Sequence, residues 1–144
     1  MSYPVKEIVI NFLSVVAGVF TGYFLFIFSG LLGYGVLNIT KGPLEDIFSA
    51  GLYLVFPAFG TGYVTAVIST RYDKINITVA GLVLALVFVP GLQHDLSLKN
   101  YKEWTLSIVI VILTIISGLI GIYLKKKEKA NLNKEPSPPD IPPQ

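Results

Sequence analysis

The chain's single histidine stands beside a carboxylate, His94-Asp95, and this is the pairing that general acid–base chemistry would use first. Neighbours along one chain seldom aim at the same atom, and no second histidine exists to build a metal site. A loose acidic grouping is also conceivable. Glu45, Asp46, Asp95 and Glu103 fall in connections that the span assignment below puts on one face, where they could hold a cation weakly. Solvated loop polarity explains both features more simply. There is no cysteine, so structural disulfides, thiol catalysis and Cys-ligated metals are excluded. No catalytic, cofactor-binding or metal-ligating residue is assigned, and a non-enzymatic protein without a cofactor is expected.

Four further motifs carry some chemical meaning. Gly33-Tyr34-Gly35 spells part of a potassium-selectivity filter, but Leu31-Leu32 precedes it where Thr-Val is required. A glycine-rich helix end is the plainer reading. Asn38-Ile39-Thr40 and Asn76-Ile77-Thr78 match the glycosylation sequon, the first close to the membrane and the second facing inward, so modification is not expected. Lys125, Lys126, Lys127 and Lys129 form a basic cluster suited to anionic lipid and to anchoring the end of a span. The tail that follows is proline-rich. Its Pro-x-x-Pro spacings, Pro136 to Pro139 and Pro139 to Pro142, are those of extended peptide ligands, but any proline-rich tail supplies them.

The elements that must position these residues are set by where the apolar residues lie. Apolar residues make up 53% of the 144 and charged residues 14%, against ~25% charged in a soluble domain. The apolar residues are also segregated into long blocks. This predicts an all-α membrane protein, an antiparallel bundle of four transmembrane helices arranged as two hairpins. The expected organisation is a short lead (1–7), a transmembrane domain (8–124) and a basic, then proline-rich, disordered tail (125–144). The spans are placed at about 8–30, 47–69, 75–91 and 104–124, each long enough to cross a ~30 Å core or nearly so at ~1.5 Å per residue. A cleaved signal peptide would have a shorter apolar region than the first run. No Asp, Glu, Lys, Arg or His falls within the four spans, which argues against proton-coupled transport and most intramembrane hydrolysis.

The second span organises the rest. Ala58, Gly62 and Ala66 recur every four residues on one helix face, and Thr61, Thr65 and Ser69 make a second small stripe beside it. Small residues let helix backbones approach closely inside lipid. An antiparallel first hairpin pairs Ser14 with Ala66, Gly18 with Gly62 and Gly22 with Ala58. A second pairs Gly81 with Gly118, Ala85 with Thr114 and Thr78 with Gly121. Pro57, mid-span and without an N–H, predicts a bend or a hinge.

Basic residues set the expected orientation. With both termini cytoplasmic, Lys6, Arg71, Lys74, Lys125, Lys126, Lys127, Lys129 and Lys134 lie inside, and Lys41, Lys99 and Lys102 outside. The layout of glycine-spaced spans, a tight basic turn and a lysine-rich end resembles small glycine-rich four-helix integral membrane proteins of unknown function, of the archaeal and Gram-positive type. That resemblance covers Ile8 to Leu124 in pattern and implies no activity. The expected function is that of a multi-pass cell-membrane protein acting through helix–helix contacts with itself or a partner. An oligomeric channel or transporter for an uncharged small solute is the alternative. The lipid bilayer is the expected partner, with a homo-oligomer or another membrane protein beside it and no nucleic acid.

Overall fold

The computed structural model describes residues 3–37, 51–95 and 103–132. Helix α1 spans Tyr3–Leu37; a π-helical turn, Gly51–Val55, leads directly into α2, Phe56–Ile68; α3 spans Asp73–Asp95 and α4 Glu103–Leu132. No strand occurs among the described residues. Four segments are long and apolar enough to cross a membrane: Val5–Leu32, Gly51–Ile68, Asp73–Pro90 and Trp104–Leu132. This is the architecture of a multi-pass membrane protein.

Three helices outrun the apolar runs that announce them. Helix α1 continues through Gly33, Tyr34 and Gly35 to Leu37. Its backbone carbonyls there serve a helix, so they form no filter. Helix α3 passes through Pro90 to Asp95 instead of closing at Pro90-Gly91. Proline costs one backbone bond, and membrane helices tolerate that loss. Helix α4 runs through the lysine cluster to Leu132 because Lys, Glu and Ala all favour helix, and lysine near a helix C-terminus suits its dipole. Just before Pro57, where the sequence predicts a bend or a hinge, the helix changes type. The π-helical turn ends at Val55, which keeps helical dihedrals (φ −70°, ψ −47°), and Pro57 then lies in the first turn of α2. A wider turn just upstream accommodates a residue that cannot donate to the preceding turn.

The molecule sorts its side chains by size. Ser14, Ser29, Thr61, Thr65, Thr114 and Ser117 are fully buried, while Phe12, Phe20, Leu31 and Leu86 are well exposed. In water this would be inverted. In lipid it is expected, because tails are as apolar as leucine and only close packing and hydrogen bonds draw helices together. Most buried hydroxyls bond to carbonyls of their own helix: Thr65 to Thr61 at 2.7 Å, Thr114 to Ile110 at 2.8 Å, Ser14 to Asn11 at 2.7 Å.

Among the described residues helix α2 touches each of the other three, and α1 and α4 do not meet. The four axes thus form a rhombus with α2 and α3 on its short diagonal. The two small stripes of α2 serve different partners. A Cβ built on Gly18 would overlap Thr65 Oγ1 and come within 2.8 Å of the Thr61 carbonyl; one on Gly22 would overlap Thr61 Oγ1 and lie 3.1 Å from the Pro57 carbonyl. So the glycines of α1 seat on the threonine stripe. Gly62 instead meets Thr114 and Ser117 of α4, and Gly121 of α4 meets Ala66 and Tyr63. Ser117 Oγ adds a bond to the Ala58 carbonyl at 3.4 Å. Residue numbers rise together along this seam, so α2 and α4 run parallel. The expected depth of the first hairpin is kept, but Gly18 and Gly62 point at different helices. In the second hairpin Gly81 seats on Thr114 and Val111, and Gly118 on Ile77, one helical turn from the expected register. Ala85 is buried in an apolar cluster with Leu84, Phe88, Leu106 and Ile110.

A cross-link distinguishes the two arrangements, and the cysteine-free background makes it clean. A Cβ at Gly121 would lie 2.9 Å from that of Ala66, so a small adjustment reaches disulfide spacing. The double variant A66C/G121C is expected to oxidise within one chain, and G18C/G62C to remain reduced. Non-reducing electrophoresis after a protease cut between the helices reads the result, and the opposite pattern would restore the paired-hairpin register.

Candidate functional site

Two carboxamides interrupt the four apolar runs, Asn11 and Asn76, and the fold brings them together. Asn11 Oδ1 accepts from Asn76 Nδ2 at 3.0 Å, from Ser69 Oγ at 3.2 Å and from the Thr70 backbone N–H at 3.3 Å. Asn76 Nδ2 also donates to Ser69 Oγ at 2.7 Å. This knot ties α1 to the short turn that joins α2 and α3. The Thr70 N–H can only donate, so the Asn11 atom facing it must be the oxygen. That fixes the orientation of the amide and leaves Asn11 Nδ2 as a buried donor without a partner. Asn11 is 7% exposed.

Two charged contacts brace the same end. Lys125 Nζ donates to the carbonyl of Ala66, at 3.2 Å, one of the last of α2 that lack a helical partner, and to that of Ser69, the residue just past the helix end. Its ammonium is therefore turned onto the bundle, while Lys126, Lys127 and Lys129 remain exposed. Arg71 approaches Glu7 at 3.6 Å in a solvated pair worth little by itself.

Above the knot a groove of about 700 Å³ opens between α1 and α3. Its walls are Phe12, Val16 and Phe20 on one side and Val79, Val83 and Val87 on the other, with Asn11 and Asn76 at one end and Tyr23 and Phe88 at the other. Tyr23 and Phe88 meet edge to face at 5.9 Å, and Phe26 packs on Phe88 at 4.7 Å, which closes that end. From Asn11 to Tyr23 the wall is about 18 Å long at ~1.5 Å per residue. The groove exists because valine and phenylalanine cannot bring α1 and α3 as close as glycine and threonine bring α1 and α2. Nothing in it resembles a catalytic constellation. It offers an apolar trough with two carboxamide residues, Asn11 and Asn76, at its polar end.

The helix-packing residues chosen from the sequence thus fall on three seams: Gly18 and Gly22 on α1–α2, Ala58, Gly62, Ala66 and Gly121 on α2–α4, and Gly81 and Gly118 on α3–α4. Ser14 is bonded to Asn11, and Thr114 is shared by the second and third seams. Asn11 has no place in the sequence reading above, and Asn76 enters it only as part of a sequon. Their being the two carboxamides in the apolar runs was the available signal. The acidic grouping depends on Glu45 and Asp46, which lie outside the described residues, as do the Asn38 sequon and the proline-rich tail. No family model, curated protein or solved structure matches the chain.

Proposed function

We propose that this is a non-enzymatic membrane protein that works by contact within the bilayer, with the α1–α3 groove as its working surface. The observation that carries this reading is the difference between the seams. Glycine, alanine, serine and threonine make the close contacts of three of them, whereas between α1 and α3 an apolar groove of about 700 Å³ opens, larger than the one of about 440 Å³ between Leu25 of α1 and Phe59 of α2. The alternative of a channel for uncharged solute needs a pore between copies, because the small face of α2 is already filled by α4. A photo-reactive benzoylphenylalanine in place of Phe20, in the groove, tests the reading against the same group at Ile112, exposed on α4. A discrete, saturable adduct at Phe20 and only diffuse labelling at Ile112 is the expected result. Equal labelling at both would end the proposal.

The membrane is the cell membrane with both termini cytoplasmic, a reading supported by the eight-to-three bias of basic residues. Cysteine introduced at Lys74 or Lys127 is then expected to be shielded from an impermeant thiol reagent in intact cells, and cysteine at Asn100 to be labelled. The inverse pattern would reverse the orientation.

A further inference from the structure

We infer that Ser69 couples α1 to α4, so that the basic end of α4 and the polar end of the α1–α3 groove hold or loosen as one unit. This goes beyond the contact reading and is independent of what the groove binds.

Among the described residues α1 and α4 do not meet, yet both reach Ser69. This residue is fully buried just past the end of α2, and each of its polar groups serves a different part of the bundle. Its N–H donates to the Thr65 carbonyl of α2 at 3.0 Å. Its hydroxyl accepts from Asn76 Nδ2 of α3 at 2.7 Å and donates to Asn11 Oδ1 of α1 at 3.2 Å. Its carbonyl accepts from Lys125 Nζ of α4. The directions are forced. Asn11 Oδ1 is fixed as an acceptor by the Thr70 N–H, so the Asn76 atom that faces it is the nitrogen. That nitrogen can only donate, which leaves the one hydroxyl proton of Ser69 for Asn11.

Lys125 is the strongest of these ties because it is charged. Its ammonium serves the carbonyls of Ala66 and Ser69, where the end of α2 leaves acceptors without donors. With the ammonium gone, the Ser69 carbonyl must turn toward water to find a donor. The hydroxyl belongs to the same residue and turns with it, away from Asn11. The Thr70 N–H, which also bonds Asn11, is one peptide further on and follows. The other tie between α1 and this turn, Arg71 to Glu7 at 3.6 Å, is solvated and too weak to hold α1 by itself. Lys126, Lys127 and Lys129 stand exposed on the same end of α4, so whatever draws that end away from α2 is felt at Asn11. The rival route is α2 itself, on which both helices pack, and the two routes differ in how far along α1 the effect extends.

Hydrogen exchange, read peptide by peptide on the full chain in lipid nanodiscs, tests the coupling. Lys125→Met is expected to speed exchange about fivefold in the α2–α3 turn and in α1 around Asn11, near the low end of coupling within one hydrogen-bonded network, and to leave α1 from Gly18 to Phe28 unchanged. Lys125→Arg keeps the donors and should exchange as wild type. Coupling is reciprocal, so Ser69→Ala, which removes the hydroxyl but not the carbonyl, is expected to speed exchange in α4 around Lys125. In unfolding measurements, Asn11→Leu and Lys125→Met together should change the unfolding constant about fivefold less than the product of their separate effects. Thr21→Val, at a hydroxyl bonded within its own helix, should simply multiply with Lys125→Met. Unchanged exchange around Asn11 in Lys125→Met, or Asn11 and Lys125 effects that multiply, would overturn the inference. Faster exchange along the whole of α1 would assign the coupling to α2 and sink the part given to Ser69. Loss of the photo-adduct preference at Phe20 would end the contact reading and leave these results standing.

Discussion

Gly62→Ala is expected to cost the bundle ~2–3 kcal/mol, the upper part of the range for overpacking, and Gly62→Leu to prevent stable folding. The added methyl would overlap Ser117 Oγ and the Thr114 carbonyl oxygen, with the Thr114 carbonyl carbon at 2.9 Å. Two of these atoms are backbone, so no rotamer change relieves the clash. Gly118→Ala is expected to be costly as well, since its added Cβ would come within 2.8 Å of Cγ1 and 2.6 Å of Cγ2 of the buried, β-branched Ile77, atoms close to the backbone that a turn of the side-chain end does not clear. Gly30 is the control. Nothing lies within 4 Å of a Cβ there, so Gly30→Ala removes the entropic cost of a helical glycine and should be neutral or stabilising by up to ~1 kcal/mol. Thermal unfolding in one detergent, with Val67→Leu as an exposed apolar control, measures all of these. If Gly62→Ala melts with Gly30→Ala, the parallel α2–α4 seam is not where the bundle is held.

Asn11→Leu should be nearly as damaging, by about 2 kcal/mol, although the side chains are similar in size and the position lies in an apolar run. Leucine removes the acceptor shared by Ser69, Thr70 and Asn76. Each orphaned donor costs of order 1–3 kcal/mol if fully dry, moderated here because Asn76 keeps Ser69, because leucine also removes the unpaired Asn11 Nδ2, and because single side-chain bonds in membrane bundles average only ~0.6 kcal/mol. The loss should be local in character. Hydrogen exchange at the α2–α3 turn is expected to rise before the α2–α4 seam opens. Asn11→Asp, which keeps an acceptor, is expected to retain the slow exchange. Equal stability of Asn11→Leu and wild type would show that the knot is incidental.

The division between sequence and fold can be argued from particular residues. The existence and approximate place of four membrane helices were legible because a hydrocarbon solvent demands long uncharged runs, and such runs are visible one residue at a time. The centrality of the second span was legible too, because two stripes of small residues on one helix leave room for two close neighbours. The identity of those neighbours was not. Gly62 fits against any helix that lacks a side chain at the right height, and both Gly18 of α1 and the Thr114 backbone of α4 meet that condition. Adjacency along the chain favours the hairpin partner. The structure gives the threonine stripe to α1 and the Ala58–Gly62–Ala66 stripe to α4, so that the tightest approach is between helices that are not consecutive.

The helix ends diverge for a related reason. Apolar periodicity reports where lipid contact stops, not where hydrogen bonding along the backbone stops, so α4 carries on through Lys125–Lys129 to Leu132. Lys125 illustrates the limit most plainly: composition marks it as one of four anchoring lysines, and only the parallel packing of α4 on α2 brings its ammonium to the carbonyls of Ala66 and Ser69. The sequence by itself determined that four segments are long and apolar enough to cross a membrane and which stripes of small residues they carry, because each is a property of a single segment. The tertiary structure decided which stripes meet, that Asn11 finds Asn76 sixty-five residues away, and that an apolar groove opens between α1 and α3. Those are relations between segments, and close packing among interchangeable small residues leaves no trace of them in any one segment alone.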